Sequence, residues 1–147
     1  GNVLARSEML YGAMLAGQAF ANAPVAAVHA LAYPLGGHFH ISHGLSNSLV
    51  LPHVLRFNFE SASELYDELA VVLQSSCDSI SGSEGLIEAM EVLINQVNLP
   101  TQLREFGVKE EQLSMLAKDA MLQERLLMNN PKEMTYDDAL AIYQAAY

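Results

Sequence analysis

The sequence has little cysteine, few basic residues and no long apolar run, and each shortage excludes a class of protein. Cys77 is the only cysteine among the 147 residues, so no internal disulfide can form, which fits a reducing compartment. Seven Lys and Arg against 17 Asp and Glu give a net charge of −10, which argues against nucleic acid as a partner. No apolar run approaches the roughly 20 residues of a membrane span, and no secretory signal pattern opens the sequence. We therefore expect a cytoplasmic protein that binds neither nucleic acid nor membrane.

The apolar residues recur with helical rather than alternating periodicity, and the length suits one domain with a real core. The pattern predicts a buried core helix over residues 3–21 and a second helix over residues 24–35 that stops at Gly36-Gly37. Residues 37–42 are then predicted to form a loop, with a new helix beginning at His43. No convincing strand pattern is present, so we expect an all-α fold.

Later segments carry helix-start signals of their own. The pattern Ser61-Ala-Ser-Glu64 predicts a capping box that opens a further helix. Residues 75–83, rich in serine, predict a surface loop. A helix after Lys109 should bury Leu113 and its neighbours, and Thr135 is predicted to cap the last helix.

Four of the five histidines fall between residues 29 and 43, and this cluster is the strongest chemical signal in the sequence. Imidazole is the commonest metal ligand among side chains and titrates near neutral pH. His29 and His43 are 14 positions apart, across a predicted helix end and loop that could fold both rings back toward one point. His38 and His40 are predicted to lie in that loop, near the mouth of a pocket. Taken singly, each histidine is more often an ordinary structural residue, but the cluster indicates a site.

The same segment carries a long motif with fixed internal spacing. It resembles the signature of the iron-containing (group III) alcohol dehydrogenases through His29-Ala-Leu-Ala-Tyr-Pro-Leu-Gly-Gly37, Ser42-His43-Gly44, Asn47, Leu51-Pro52-His53 and Phe57-Asn58. The resemblance continues through Asn98-Leu99-Pro100, Leu103, Phe106-Gly107-Val108 and Asn130-Pro131, and then Thr135, Asp138 and Ile142. It covers nearly all of this chain but only the C-terminal half of a family member.

The resemblance implies a two-domain enzyme with an N-terminal nucleotide-binding domain and a C-terminal helical domain that holds Fe²⁺ or Zn²⁺. Residues 1–147 would be the bundle-like C-terminal domain of a dehydroquinate synthase-like fold, with the nucleotide-binding domain absent from this sequence. The implied reaction is hydride transfer between an alcohol or aldehyde substrate and NAD or NADP, in a homo-oligomer. No Gly-rich strand-to-helix turn for a pyrophosphate is present here, so we expect the chain alone to be inactive.

The resemblance also implies roles for individual residues. Family members hold the metal with one Asp and three His, and His29 and His43 match the last two histidines. The Asp and the first His lie upstream in the family, four positions apart on a helix, and no such pair occurs here. Tyr33 stands where many members carry a histidine near substrate and nicotinamide, which implies a catalytic and cofactor-binding position without a base that titrates near neutrality. Phe20 matches an aromatic that lines the family's pocket, although plain core packing explains it equally well.

A second class of function stays open on the same residues. The chain could be a non-catalytic helical metal-binding or interaction module that reuses the scaffold, because fold alone does not decide function. The retained pair of His29 and His43 favours the enzyme, since a module without catalysis has no need of two imidazoles at this spacing.

Overall fold

All regular structure in the computed structural model is helical, and the structure describes residues 1–74 and 82–147. Within these ranges the α-helices are α1 (Val3–Asn22), α2 (Ala27–Phe39), α3 (His43–Gln74), α4 (Gly82–Gln96), α5 (Leu113–Met121), α6 (Glu124–Leu127) and α7 (Tyr136–Ala146). Two short 3₁₀ helices, Leu103–Phe106 and Glu110–Gln112, lead into α5. The described part of the chain contains no β-strand, which confirms the predicted all-α class.

The main core lies where α2, the first half of α3, α5 and α7 meet. Its large, almost fully buried members are Leu31, Leu35, Leu49, Val50, Val54, Leu103, Leu113, Leu116 and Tyr143. The hydroxyl of Tyr143 donates a hydrogen bond of 2.6 Å to the carbonyl oxygen of Leu31, which ties α7 to α2. Burial raises the pKa of Tyr143 far above its ordinary value, so this hydroxyl remains a donor at any ordinary pH. The helix that carries His29 is thus held on its core-facing side by apolar packing and by one buried hydrogen bond.

Helix α2 continues beyond its predicted end at Gly36-Gly37, so that boundary is wrong. It runs through Pro34 and both glycines to Phe39. Full burial of the Leu31 and Leu35 side chains stabilises this helix by about 3–6 kcal/mol. This gain offsets the roughly 5 kcal/mol by which one proline and two glycines destabilise a helix. His40 then ends the helix in the left-handed conformation, at φ 55°, and its backbone N–H bonds the carbonyl of Gly36. The loop between α2 and α3 therefore shrinks to residues 40–42.

Helix α3 begins at His43, as predicted, but no new helix starts at Ser61. Residues 61–64 lie inside α3, whose second half packs against α4 through a smaller core of Ala62, Tyr66, Ala70 and Leu86. The two helices are also joined by a bidentate ion pair of 2.6 and 2.7 Å between Arg56 and Glu91. Packing along the whole helix outweighs the local capping signal. The predicted loop at residues 75–83 lies outside the described residues, except that Gly82 and Ser83 belong to α4.

Helix α1 is exposed throughout, which corrects the prediction of a buried core helix. None of its residues is buried, and Leu10 is 73% and Phe20 55% exposed. The apolar side chains of α1 are spread around its axis instead of forming one stripe, so no single face matches the core that the other helices share. A helix that is apolar all round is ordinarily covered by other protein or by lipid. Of the helices in the described ranges, however, none is both long and apolar enough to cross a bilayer.

The C-terminal helices follow the sequence signals closely. Leu113, Leu116, Ala117 and Ala120 are buried on α5, as the periodicity predicts. Thr135 caps α7, because its hydroxyl accepts a hydrogen bond from the backbone N–H of Asp138 while the Asp138 carboxylate accepts one from the N–H of Thr135. This end of the domain supplies the surface on which α2 and α3 rest.

Candidate metal centre

His29 and His43 come together although they belong to different helices. His29 lies half-buried in the first turn of α2, and His43 is the first residue of α3. Their ring centroids are 5.0 Å apart, with an angle of 51° between the ring planes. The tight connection at residues 40–42, closed by left-handed His40, returns the chain so that the start of α3 lies beside α2. The folded chain therefore juxtaposes the two histidines that the motif singled out.

Both imidazoles face one side-chain amide. The Nδ2 atom of Asn47 is 3.1 Å from Nε2 of His43 and 3.4 Å from Nε2 of His29. Asn47 follows His43 by four positions on α3, so the two side chains share a helix face. The Nε2 atoms of both rings thus border a common region, which is the arrangement that two imidazole ligands of one cation need.

The protonation state of His29 also suits a metal ligand. Burial, and secondarily the neighbouring ring of His43, lower the pKa of His29 from its ordinary value. A lowered pKa favours the neutral imidazole at neutral pH, and only the neutral ring has a lone pair to give to a cation.

Tyr33 completes a cluster of three rings. It follows His29 by one turn of α2, and its ring centroid is 6.4 Å from that of His29 and 6.3 Å from that of His43. Tyr33 is 45% exposed, so its ring lies beside both imidazoles and is also accessible to solvent.

The cluster offers two candidate metal ligands among the described residues. Across residues 1–74 and 82–147, no group of three or more His, Cys, Asp or Glu side chains is arranged to hold a metal ion. Two neutral imidazoles suit Fe²⁺ or Zn²⁺, but Zn²⁺ in proteins is normally bound by three or four protein groups. The donor set fits half of such a site.

The remaining predicted residues lie outside this cluster. Phe20 is on the exposed surface of α1 and takes no part in the ring contacts of His29, Tyr33 and His43 that the described residues make. His38 is not in a loop: it lies in the last turn of α2, with its Nε2 2.5 Å from a carboxylate oxygen of Asp119 on α5. The motif contains Asn47 without indicating a role for it, although its spacing of four from His43 on a helix places the two side chains on the same face.

The structure is thus an all-α domain in which two imidazoles converge, and comparison with known proteins identifies its family. Residues 1–147 match the sequence model of the Fe-containing alcohol dehydrogenase family, C-terminal region. The chain is 42% identical over 146 residues to long-chain-alcohol dehydrogenase 1 of Geobacillus thermodenitrificans, covering 97% of this chain and 37% of that protein. It is 39% identical over 145 residues to alcohol dehydrogenase 4 of Saccharomyces cerevisiae, with the same coverage of 97% and 37%.

A solved structure extends the likeness to three dimensions. The chain superimposes on 1,3-propanediol oxidoreductase with a TM-score of 0.91 and 33% identity, covering 100% of this chain and 39% of that one. The chain belongs to the Fe-containing alcohol dehydrogenase family and corresponds to its C-terminal region. It spans well under half the length of the relatives that it matches.

Proposed function

We propose that this chain is the metal-binding portion of the catalytic domain of an alcohol dehydrogenase that transfers hydride between an alcohol and NAD or NADP. The observation that carries the proposal is the convergence of His29 and His43 on one region through their Nε2 atoms. Membership of the family supports the class of reaction. Relatives named for long-chain alcohols, lactaldehyde and 1,3-propanediol support an alcohol or aldehyde substrate without selecting among them.

Each residue of the cluster has a distinct part in this proposal. His29 and His43 would each give one Nε2 lone pair to Fe²⁺ or Zn²⁺. Such a cation would supply Lewis acidity at the oxygen of the alcohol. The nicotinamide cofactor supplies the hydride chemistry. Tyr33, whose ring lies beside both imidazoles, donates a hydrogen bond from its hydroxyl to the substrate or to the nicotinamide.

The other half of the site is assigned to an N-terminal nucleotide-binding domain that is not part of residues 1–147. Such a domain would supply the missing metal ligands and the site for the cofactor pyrophosphate. The exposed apolar surface of α1 supports this assignment, because Leu4, Met9, Leu10, Tyr11 and Phe20 are each more than half exposed in this chain. Covered by a neighbouring domain, Phe20 would line the cofactor pocket at the boundary of the two domains.

Alanine substitution of the two histidines in the complete enzyme tests the proposal. His29→Ala and His43→Ala should each remove bound metal, measured by elemental analysis, together with alcohol-dependent reduction of NAD and NADP, measured by absorbance. His40→Asn is the matched control, since asparagine tolerates the left-handed conformation that His40 adopts. This control should keep both metal and activity.

Two outcomes would redirect the proposal. Full turnover by a double variant, His29→Ala with His43→Ala, that is verified to be free of metal would sink the assignment of these residues. A wild-type complete protein that binds metal through both histidines but turns over no alcohol would favour the non-catalytic module.

A further inference from the structure

One side chain, that of Asn47, reaches both candidate ligands. Its Nδ2 lies within hydrogen-bonding distance of Nε2 of His43, four positions earlier on α3, and of Nε2 of His29, 18 positions earlier on α2. Its Oδ1 is buried and has no hydrogen-bond partner among the described residues. The polar contacts of this amide are therefore made by its nitrogen, and they go to the two rings.

Because an amide NH₂ group can only donate, its contacts determine which nitrogen of each imidazole ring carries the proton. The group has two hydrogens and acts only as a donor, so it can give one hydrogen bond to each Nε2. Each Nε2 must then be an unprotonated acceptor, which places the proton of each neutral ring on Nδ1. In free histidine the tautomer with the proton on Nε2 is the commoner one. Asn47 consequently selects the less common tautomer in both His29 and His43.

We propose that Asn47 is a positioning residue of the metal centre, which holds both Nε2 lone pairs unprotonated and directed at one region before a divalent cation binds. Binding exchanges the two N–H···N hydrogen bonds for two metal–nitrogen bonds to the same lone pairs, with no change of tautomer. The identity of the ligand rests on the function proposed above, whereas the tautomers are a property of the chain itself.

Nitrogen NMR of the ¹⁵N-labelled chain tests the tautomers without any metal. At pH about 8.5, two units above the ordinary histidine pKa, long-range ¹H–¹⁵N correlations should show the proton on Nδ1 in both His29 and His43. Asn47→Ala should return both rings to mixtures dominated by the Nε2–H tautomer. Asn47→Asp, which offers only acceptor oxygens, should drive both rings to Nε2–H, a reversal that mere loss of packing would not produce.

Titration with Zn²⁺ alone tests the consequence for metal binding. Residues that orient ligands typically change metal affinity by about 10–100-fold, and we expect the lower end, a loss of about tenfold in Asn47→Ala, because the cation must displace two hydrogen bonds in the wild type. Asn95→Ala is the matched control: the Asn95 amide on α4 bonds the backbone carbonyl of Glu91, so neither tautomers nor affinity should change. Far-UV circular dichroism of each variant verifies that it is folded.

The results separate this proposal from the assignment of the metal ligands. Nε2–H tautomers in the wild type would overturn the role of Asn47, as would a zinc affinity in Asn47→Ala that is unchanged or higher. If instead the tautomers respond as expected but the double variant His29→Ala, His43→Ala binds zinc like the wild type, the assigned ligands are wrong while the control of both rings by Asn47 stands.

Discussion

The hydrogen bond between Tyr143 and Leu31 offers a sharp test of how α2 is held in place. Tyr143 is fully buried on α7, and its hydroxyl bonds the carbonyl oxygen of Leu31 at 2.6 Å, two positions from both His29 and Tyr33. Tyr143→Phe removes the hydroxyl and leaves the ring. The substitution therefore isolates one hydrogen bond beneath the candidate site.

The expected loss follows from what remains after the substitution. The ring still fills its place, so no large cavity forms. The carbonyl of Leu31 stays within α2, where backbone hydrogen bonding continues, so it is not left without a partner. What is lost is the net value of one hydrogen bond, about 0.5–1.5 kcal/mol. For a domain of this size, in which 1 kcal/mol shifts the Tm by about 2–4 °C, that loss should lower the Tm by about 1–6 °C.

Urea unfolding followed by circular dichroism measures this loss. Tyr136→Phe is the matched control, since the hydroxyl of half-buried Tyr136 donates a longer bond of 3.2 Å to the hydroxyl of Ser114. We expect the control to lose less than about 0.5 kcal/mol, and the m-value to be unchanged in both variants. A loss in Tyr143→Phe no larger than in the control would show that this hydrogen bond does not stabilise the fold. A loss above about 3 kcal/mol would show that the ring itself has repacked.

Three further predictions follow from other parts of the domain. Thr135→Ala removes the cap of α7 and should cost about 1 kcal/mol in urea unfolding, whereas Thr135→Asn should keep most of the stability; equal losses would show that capping is not the cause. Burial and then Arg56 lower the pKa of His53, against a smaller opposing effect of Glu91, so between that pKa and the ordinary value the unfolded chain binds more protons. The stabilisation that neutral His53 gives the folded state is thus present above the ordinary pKa and is lost as pH falls through the folded-state pKa. His53→Gln should therefore make the free energy of unfolding less dependent on pH across that window. An NMR titration that gives a raised pKa for His53 would contradict this. In the complete enzyme, Tyr33→His should leave metal content unchanged but add an inflection near neutral pH to the rate profile, and loss of metal would show that Tyr33 is misplaced.

Local sequence signals predicted the parts of the fold where local preference and packing agree. Thr135 caps α7 because its hydroxyl meets an orphan N–H that any helix start presents. Leu113 and Leu116 are buried because the apolar residues of α5 form a single stripe, and that stripe faces the main core. The start of α3 at His43 was predicted correctly for a similar reason, since the chain turns just before it.

Packing over longer distances explains the boundaries that were predicted wrongly. Gly36-Gly37 did not end α2, because burial of its apolar face outweighs the cost of those glycines. Ser61 did not open a helix, because the second half of α3 packs against α4. The apolar character of α1 was evident from its sequence, but periodicity cannot tell which surface covers such a helix, and no residue of α1 is buried in this chain.

Part of the candidate site could likewise be predicted from the sequence, and part of it depends on the folded chain. His29 and His43 were singled out by the motif, but their approach to 5.0 Å depends on the extra turn of α2 and the left-handed bend at His40. Asn47 belongs to the motif, but its role could not be predicted because an asparagine on a helix has many ordinary roles, and only the folded chain places its Nδ2 beside both rings. The metal itself stays a prediction, since the described residues supply two ligands.

Titration of this 147-residue chain with Fe²⁺ and Zn²⁺, with elemental analysis of the product, shows directly whether His29 and His43 bind a divalent metal. If His29 and His43 are half of a divalent metal site, binding should be weak and should disappear in the His29→Ala, His43→Ala double variant. Tight stoichiometric binding that survives the loss of both histidines would mean that other side chains form a different site, and the proposed mechanism would have to be abandoned.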